Sequence, residues 1–154
     1  MTRRDLGVAG VAILGTLALT LRARSQGTEQ AVMGSTAVDW ARMTATPTKT
    51  GEVRSVFRAA TATLDELEAH ITTLNPGESP HPPHKHPDEE ILFLKEGPLE
   101  ATLNGQTVRV GPGAVLFQAS NQLHTLRNVG TAPATYFVMR WNSPGMLKKN
   151  AIAE

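Results

Sequence analysis

Beyond Gly51 the chain is written as short apolar runs interrupted at short intervals by Gly, Pro or Asn. That punctuation is the signature of an all-β sandwich or barrel. The runs Val53–Phe57, Leu67–Leu74, Ile91–Leu94, Leu99–Leu103, Thr107–Val110, Val115–Gln118, His124–Asn128 and Thr135–Trp141 are the predicted strands. Asn104-Gly105 lies between two of them and predicts a tight hairpin, because both central positions of a type I′ turn need positive φ. The one helix-like patch, Ala62–Ala69, is short and reads as a turn followed by a strand entry.

The 154 residues suit one domain with a single modest core. We expect that domain over 52–145, preceded by a linker and N-terminal arm over 26–51 and followed by a tail over 146–154. Val38, Trp40 and Met43 are the expected docking points of the arm. The start of the chain is built differently. Arg3 and Arg4 precede an uncharged run of 16 residues, Leu6–Leu21, shorter than the roughly 20 a membrane span needs. Residues 1–25 are therefore read as an export signal, with an uncleaved membrane anchor as the alternative. Thr2-Arg3-Arg4-Asp5-Leu6 resembles the twin-arginine signal, although Gly7 replaces its second apolar residue. Arg22 and Arg24 suit that route, and Ala23-Arg24-Ser25 offers a small-x-small cleavage site. The expected location is periplasmic or extracellular.

Fifteen basic against fourteen acidic residues give a formal charge of +1. With no basic stripe carrying interleaved aromatics, nucleic acid is not the expected partner; a small molecule is. The absence of cysteine removes disulfides, thiolate nucleophiles and sulfur-ligated metals together. Any metal must be held by nitrogen and oxygen.

Such ligands are concentrated in His81-Pro82-Pro83-His84-Lys85-His86-Pro87-Asp88-Glu89-Glu90, which holds three of the five histidines and three consecutive carboxylates. Side chains two apart share a face of an extended chain, so His84, His86 and Glu90 point one way if the segment stays extended across Pro87. Two imidazoles and a carboxylate form the facial set that a divalent first-row metal with open positions requires. His124, on a strand-like segment after a Gly-Pro-Gly turn, can supply a fourth ligand from a neighbouring antiparallel strand. His81 is off-face by spacing and is a substitute ligand or pocket base at most. Asp88 and Glu89 are expected at the barrel mouth, with Glu89 replacing Glu90 only if a bulge shifts the register. His70 is expected to be a surface or hydrogen-bonded histidine, and Asn128 a hydrogen bonder at a turn or strand end.

These residues resemble a known family, the cupins. Gly77, His84, His86, Glu90 and Gly97 match the spacing of the first cupin motif. Gly105, Gly111-Pro112-Gly113, His124 and Asn128 match the second more loosely, with Ala114 where the family often has Asp. The resemblance covers Leu67–Trp141 and implies a double-stranded β-helix, a jelly-roll barrel with a metal near one end of its cavity. Leu92 and Leu94 continue the parity of Glu90 and should face that interior, while Ile91 and Phe93 face the other way. A strand apolar on both faces implies a covered outer face and hence a homodimer. Of the last strand, either Thr135, Phe137, Met139 and Trp141 or Ala134, Tyr136, Val138 and Arg140 should complete the pocket. Lys85 and Lys95 point away from the metal by parity.

Three imidazoles and one carboxylate leave about two adjacent positions on an octahedral ion. With Fe that suits oxygenation; Mn, Ni, Cu or Zn also allow isomerase or Lewis-acid roles. The resemblance to quercetin-dioxygenase-like cupins implies a metal-dependent dioxygenase-type oxidoreductase acting on a small chelating substrate. Glu90 would then serve both as ligand and as proton acceptor. The alternatives are a non-enzymatic metal-dependent binding module and a sugar isomerase or epimerase.

Overall fold

Residues 32–146 are described by a computed structural model of the protein; the proposed export signal and all but the first residue of the tail lie outside them. Each predicted strand is present, three with the predicted bounds and the others extended at their ends. In chain order they are β1 Thr46–Pro47, β2 Gly51–Ala59, β3 Glu66–Leu74, β4 Glu89–Glu96, β5 Leu99–Leu103, β6 Gln106–Val110, β7 Val115–Gln118, β8 His124–Asn128 and β9 Ala134–Asn142. Only β1 has no counterpart in the sequence reading. Asn104 (φ 46°) and Gly105 (φ 83°) turn the chain between β5 and β6, as the dipeptide requires.

The strands form two antiparallel sheets, ordered β1-β2-β3-β9-β4-β7 and β6-β5-β8. This is the expected all-β jelly-roll barrel. Period-two alternation decides what fills it. Leu92 and Leu94 of β4 are almost fully buried, as are Leu99 and Ala101 of β5, and Leu116, Leu126 and Val138 join them from β7, β8 and β9. Removing each of the larger side chains from water contributes about 1.5–3 kcal/mol. β9, whose inward face the sequence left open, turns Ala134, Tyr136 and Val138 into this cluster. Phe137 and Met139 take the outer face.

The inward faces change character along the barrel. On β4 the alternation runs from Leu94 and Leu92 to Glu90; its register partners there are Arg140 on β9 and Gln118 on β7. On β8 the inward set is Asn128, Leu126 and His124, all buried. Apolar positions, with Asn128 among them, thus close one end of the interior, and His124, Glu90, Gln118 and Arg140 collect at the other.

Two residues of the family motifs do structural work. Gly97 follows β4 with φ 78°, and a Cβ there would lie 2.7 Å from the Ala134 backbone. Gly97→Ala is therefore expected to destabilise the domain by about 3 kcal/mol, combining the left-handed strain with overpacking. Denaturant melts check this, and an unchanged midpoint would contradict it. Asn128 is fully buried. Its Nδ2 donates to the carbonyls of Leu74 (3.0 Å) and Ala132 (2.9 Å), and its Oδ1 accepts from Gly130 N–H (2.9 Å). It is the expected strand-end hydrogen bonder. Ala114 leaves its turn intact, since Gly113 N–H donates to Leu94 C=O and Leu94 N–H to Ala114 C=O.

The arm docks through the pairing of β1 with β2, through Met43 C=O, which accepts from Arg54 Nη1 (3.0 Å), and through Trp40, whose ring lies under the Lys95 ammonium at 4.4 Å and the Arg54 guanidinium at 4.9 Å. Val38 stays exposed. Lys95 is turned away from the polar end of the barrel, as its parity requires.

Candidate metal centre

The stretch that carries His84 and His86 is not one extended strand. The chain bends at Pro87-Asp88 before β4 begins at Glu89, so the simple parity expected across Pro87 does not operate. The histidines converge for another reason. His84 forms an isolated antiparallel bridge with His124, each N–H donating to the other's carbonyl at 3.1 and 2.9 Å, and Asn121 N–H donates to His86 C=O at 2.8 Å. Backbone pairing thus pins the loop to β8. The His84, His86 and His124 side chains each offer a ligand atom, and these atoms lie within 4.8 Å of one another.

The ring nitrogens are arranged for coordination. Nδ1 of His86 lies 3.0 Å from Asp88 C=O, and Nδ1 of His124 lies 2.8 Å from Gln122 C=O. A carbonyl only accepts, so Nδ1 carries the proton in both rings and Nε2 keeps its lone pair when the ring is neutral. Nε2 of His124 and Nδ1 of His84 are buried without a hydrogen-bond partner. Buried polar atoms are seldom left unpaired, and a cation among the three imidazoles would give Nε2 of His124 a partner. The donor set fits a divalent metal bound by nitrogen and oxygen.

Glu90 stands beside the trio: its Oε2 is 3.6 Å from His86 Nε2. That carboxylate pushes the His86 imidazole above its ordinary value, whereas burial first, and then the neighbouring imidazoles, push His84 below it. Burial likewise lowers His124. His81 packs edge-on against His84 with ring centroids 3.9 Å apart, outside the cluster of three.

A cavity of about 290 Å³ opens over these groups, its walls including Leu126, Val138, Tyr136, Gln118 and Arg140. Its size is at the lower end for ligand pockets, which suits a small molecule. Thr48 and Thr50 of the arm line its mouth; nothing in the arm's sequence marks them. His70 also lines it and is the expected hydrogen-bonded histidine, with Nδ1 2.9 Å from Glu68 Oε1. Burial of Glu68 raises its carboxyl, but the hydrogen bonds and charges of His70 and Arg140 outweigh this and hold it below the usual range. Arg140 is thereby anchored, with Nε 2.8 Å from Glu68 and Nη1 3.5 Å from Asp88. Burial drives the Tyr136 phenol far above its ordinary value, so it remains a protonated donor. Glu89 lies on the opposite face of β4, beside Trp141, and cannot replace Glu90.

Residues 70–140, the span that holds every one of these histidines and Glu90, match the cupin domain family. Over that span the chain is similar to cupin domains, and its two-sheet barrel fits the cupin jelly-roll fold. The cupin domain of Schizosaccharomyces pombe Cnp3 superposes with TM-score 0.61 at 13% identity, covering 75% of this chain and 80% of that one. An RmlC-like cupin from Shewanella frigidimarina gives 0.60 at 11% identity over 72% and 94%. A protein from Thermotoga maritima described as a predicted oxalate decarboxylase gives 0.56 at 21% identity over 70% and 99%. At these identities the likeness speaks for the fold alone. No curated protein matches the chain in sequence. The expected barrel is confirmed, and of the two sets left open on the last strand, the one with Tyr136, Val138 and Arg140 lines the cavity; Gln118 was not foreseen. Gln118 shares the parity of Leu116, a signal that becomes readable only once the inward face of β7 is known.

Proposed function

We propose that His84, His86, His124 and Glu90 hold one divalent transition metal, Fe, Mn, Zn, Ni or Cu, and that the cupin domain is a dioxygenase-type oxidoreductase acting on a small chelating substrate. The observation that carries this reading is the convergence of three imidazoles, two of them with unpartnered buried nitrogens, on a small cavity. When bound, the metal would supply Lewis-acid and redox chemistry to a chelated substrate. The chain's own residues orient the substrate and handle its proton. Glu90, the carboxylate next to the trio, can accept a proton from a substrate hydroxyl, while Leu126 and Val138 limit the water that reaches it. Oxygen uptake by metal-loaded chain against a panel of catechols, enols and hydroxy acids tests the assignment. Metal-dependent uptake with at least one of them is expected, and full metal content without turnover on any would indicate a binding module instead.

We also propose that the domain pairs with a second copy through the outer face of the larger sheet. Phe93, Val115 and Phe117 are 45%, 64% and 51% exposed in the single protomer, and Phe93 faces Val115 across the β4–β7 ladder. A charge at its centre, Phe93→Glu, should turn a sedimenting dimer into a monomer with metal content unchanged. A wild-type monomer at micromolar concentration would contradict the pairing. The paired arginines ahead of Leu6–Leu21 support export, consistent with a site that uses no cysteine.

A further inference from the structure

Apart from the ring nitrogens of His84 and His124, Gln118 carries the one buried side-chain atom among the described residues of the cavity wall that has no hydrogen-bond partner. It lies on β7, directly opposite Glu90 in the antiparallel ladder, and faces inward two residues beyond the core residue Leu116. It is 97% buried and lines the same cavity as the three histidines. Its Oε1 is buried without a hydrogen-bond partner. An orphaned acceptor deep in a barrel is costly, and an apolar side chain like Leu116 or Leu92 would fill the same inward position without that cost. An amide oxygen accepts and cannot donate, so what completes it must present a hydrogen. Its neighbour Glu90 also offers oxygen. Unlike that carboxylate, the neutral amide can hold an O–H group without competing for its proton.

We propose that Gln118 determines specificity by accepting a hydrogen bond from a hydroxyl of the bound ligand, so that the site takes small hydroxylated chelators, of the α-hydroxy acid or enediol kind. Acceptor-only chelators of similar size are disfavoured. This rests on the metal reading above and deepens it. The position of Gln118 opposite Glu90 places the recognised hydroxyl at the histidine-lined end of the cavity, and the small volume of the cavity keeps it close to the metal-binding end of the ligand.

Glycolate and methoxyacetate both chelate through a carboxylate and an α-oxygen but differ in the O–H, which makes them suitable probes. Calorimetric titration of Ni(II)-loaded full chain with each is compared for wild type, Gln118→Leu and Gln118→Met. The preference for glycolate should be about tenfold larger in wild type than in either variant, with Ni(II) content unchanged. The same preference in all three, or a wild-type preference for methoxyacetate that the variants lose, overturns the role of Gln118. If neither variant folds, the wild-type preference is set against that of free Ni(II), and no excess overturns it equally. A chain that takes up no Ni(II) overturns the metal reading itself, which keeps the two failures apart.

Discussion

His124→Ala is expected to abolish stoichiometric metal binding while the barrel stays folded. Loss of a group that merely orients a ligand typically costs 10–100-fold in metal affinity, so loss of the ligand itself should exceed about 100-fold. The fold should survive because the contact that joins the two motifs is backbone to backbone: His84 and His124 exchange N–H···O=C bonds that alanine can still make. The imidazole does contribute one bond of its own, to Gln122 C=O. Gln122 is exposed, and water can replace that donor. Removal also deletes a buried nitrogen that has no partner without metal, which offsets part of the lost packing. His84→Ala should behave alike. Circular dichroism with metal titration checks both variants, and a folded variant that retains full occupancy would show that its histidine is not a ligand.

Acid is expected to release the metal steeply, over a range in which the apo protein changes less. In the metal-free chain the three histidines do not titrate alike. His84 and His124 lie below the ordinary imidazole value of 6.5, with burial the largest cause, and His86 lies above it because of Glu90. A lowered group contributes stability that is present above pH 6.5 and is lost as pH falls through its folded value. The raised His86 does the reverse: its contribution is present below 6.5 and is lost as pH rises through its own folded value. The two windows lie on either side of pH 6.5, so at most two of the three rings contribute at any one pH and the apo curve should be shallower than the holo curve. With metal bound, all three rings must be neutral, and protonation must first displace the cation. Uptake of three protons together gives a limiting slope of about 4 kcal/mol per pH unit. Thermal melts of holo and apo protein between about pH 7 and pH 4 should therefore converge as acid displaces the ion. Parallel curves with a constant gap would rule out the histidine set.

The sequence was most readable where one physical rule acted alone. Strand positions follow from Gly, Pro and Asn between apolar runs, and the hairpin from Asn104-Gly105. The clustered histidines follow from a motif in which Gly97 is required by the close approach of Ala134. It was least readable where two rules compete. Both faces of β9 are apolar in composition, so only the register with β3 and β4 shows that Tyr136, Val138 and Arg140 turn inward. Pro87-Asp88 breaks the strand whose parity would have aligned His84 and His86 with Glu90, and long-range pairing with His124 restores the convergence. Thr48 and Thr50 reach the cavity by chain reversal in the arm, a tertiary event without local signal. Gln118 reads as an ordinary strand terminus until Leu116 is seen to be core.

Elemental analysis of full chain purified without an affinity tag bears most directly on the metal centre. A single transition-metal ion per chain, of the kind such nitrogen and oxygen donors hold, is the predicted result, with only a trace in His124→Ala prepared in the same way. Wild-type protein that holds no metal even after incubation with excess Fe(II), Mn(II), Zn(II), Ni(II) and Cu(II) in turn would contradict it.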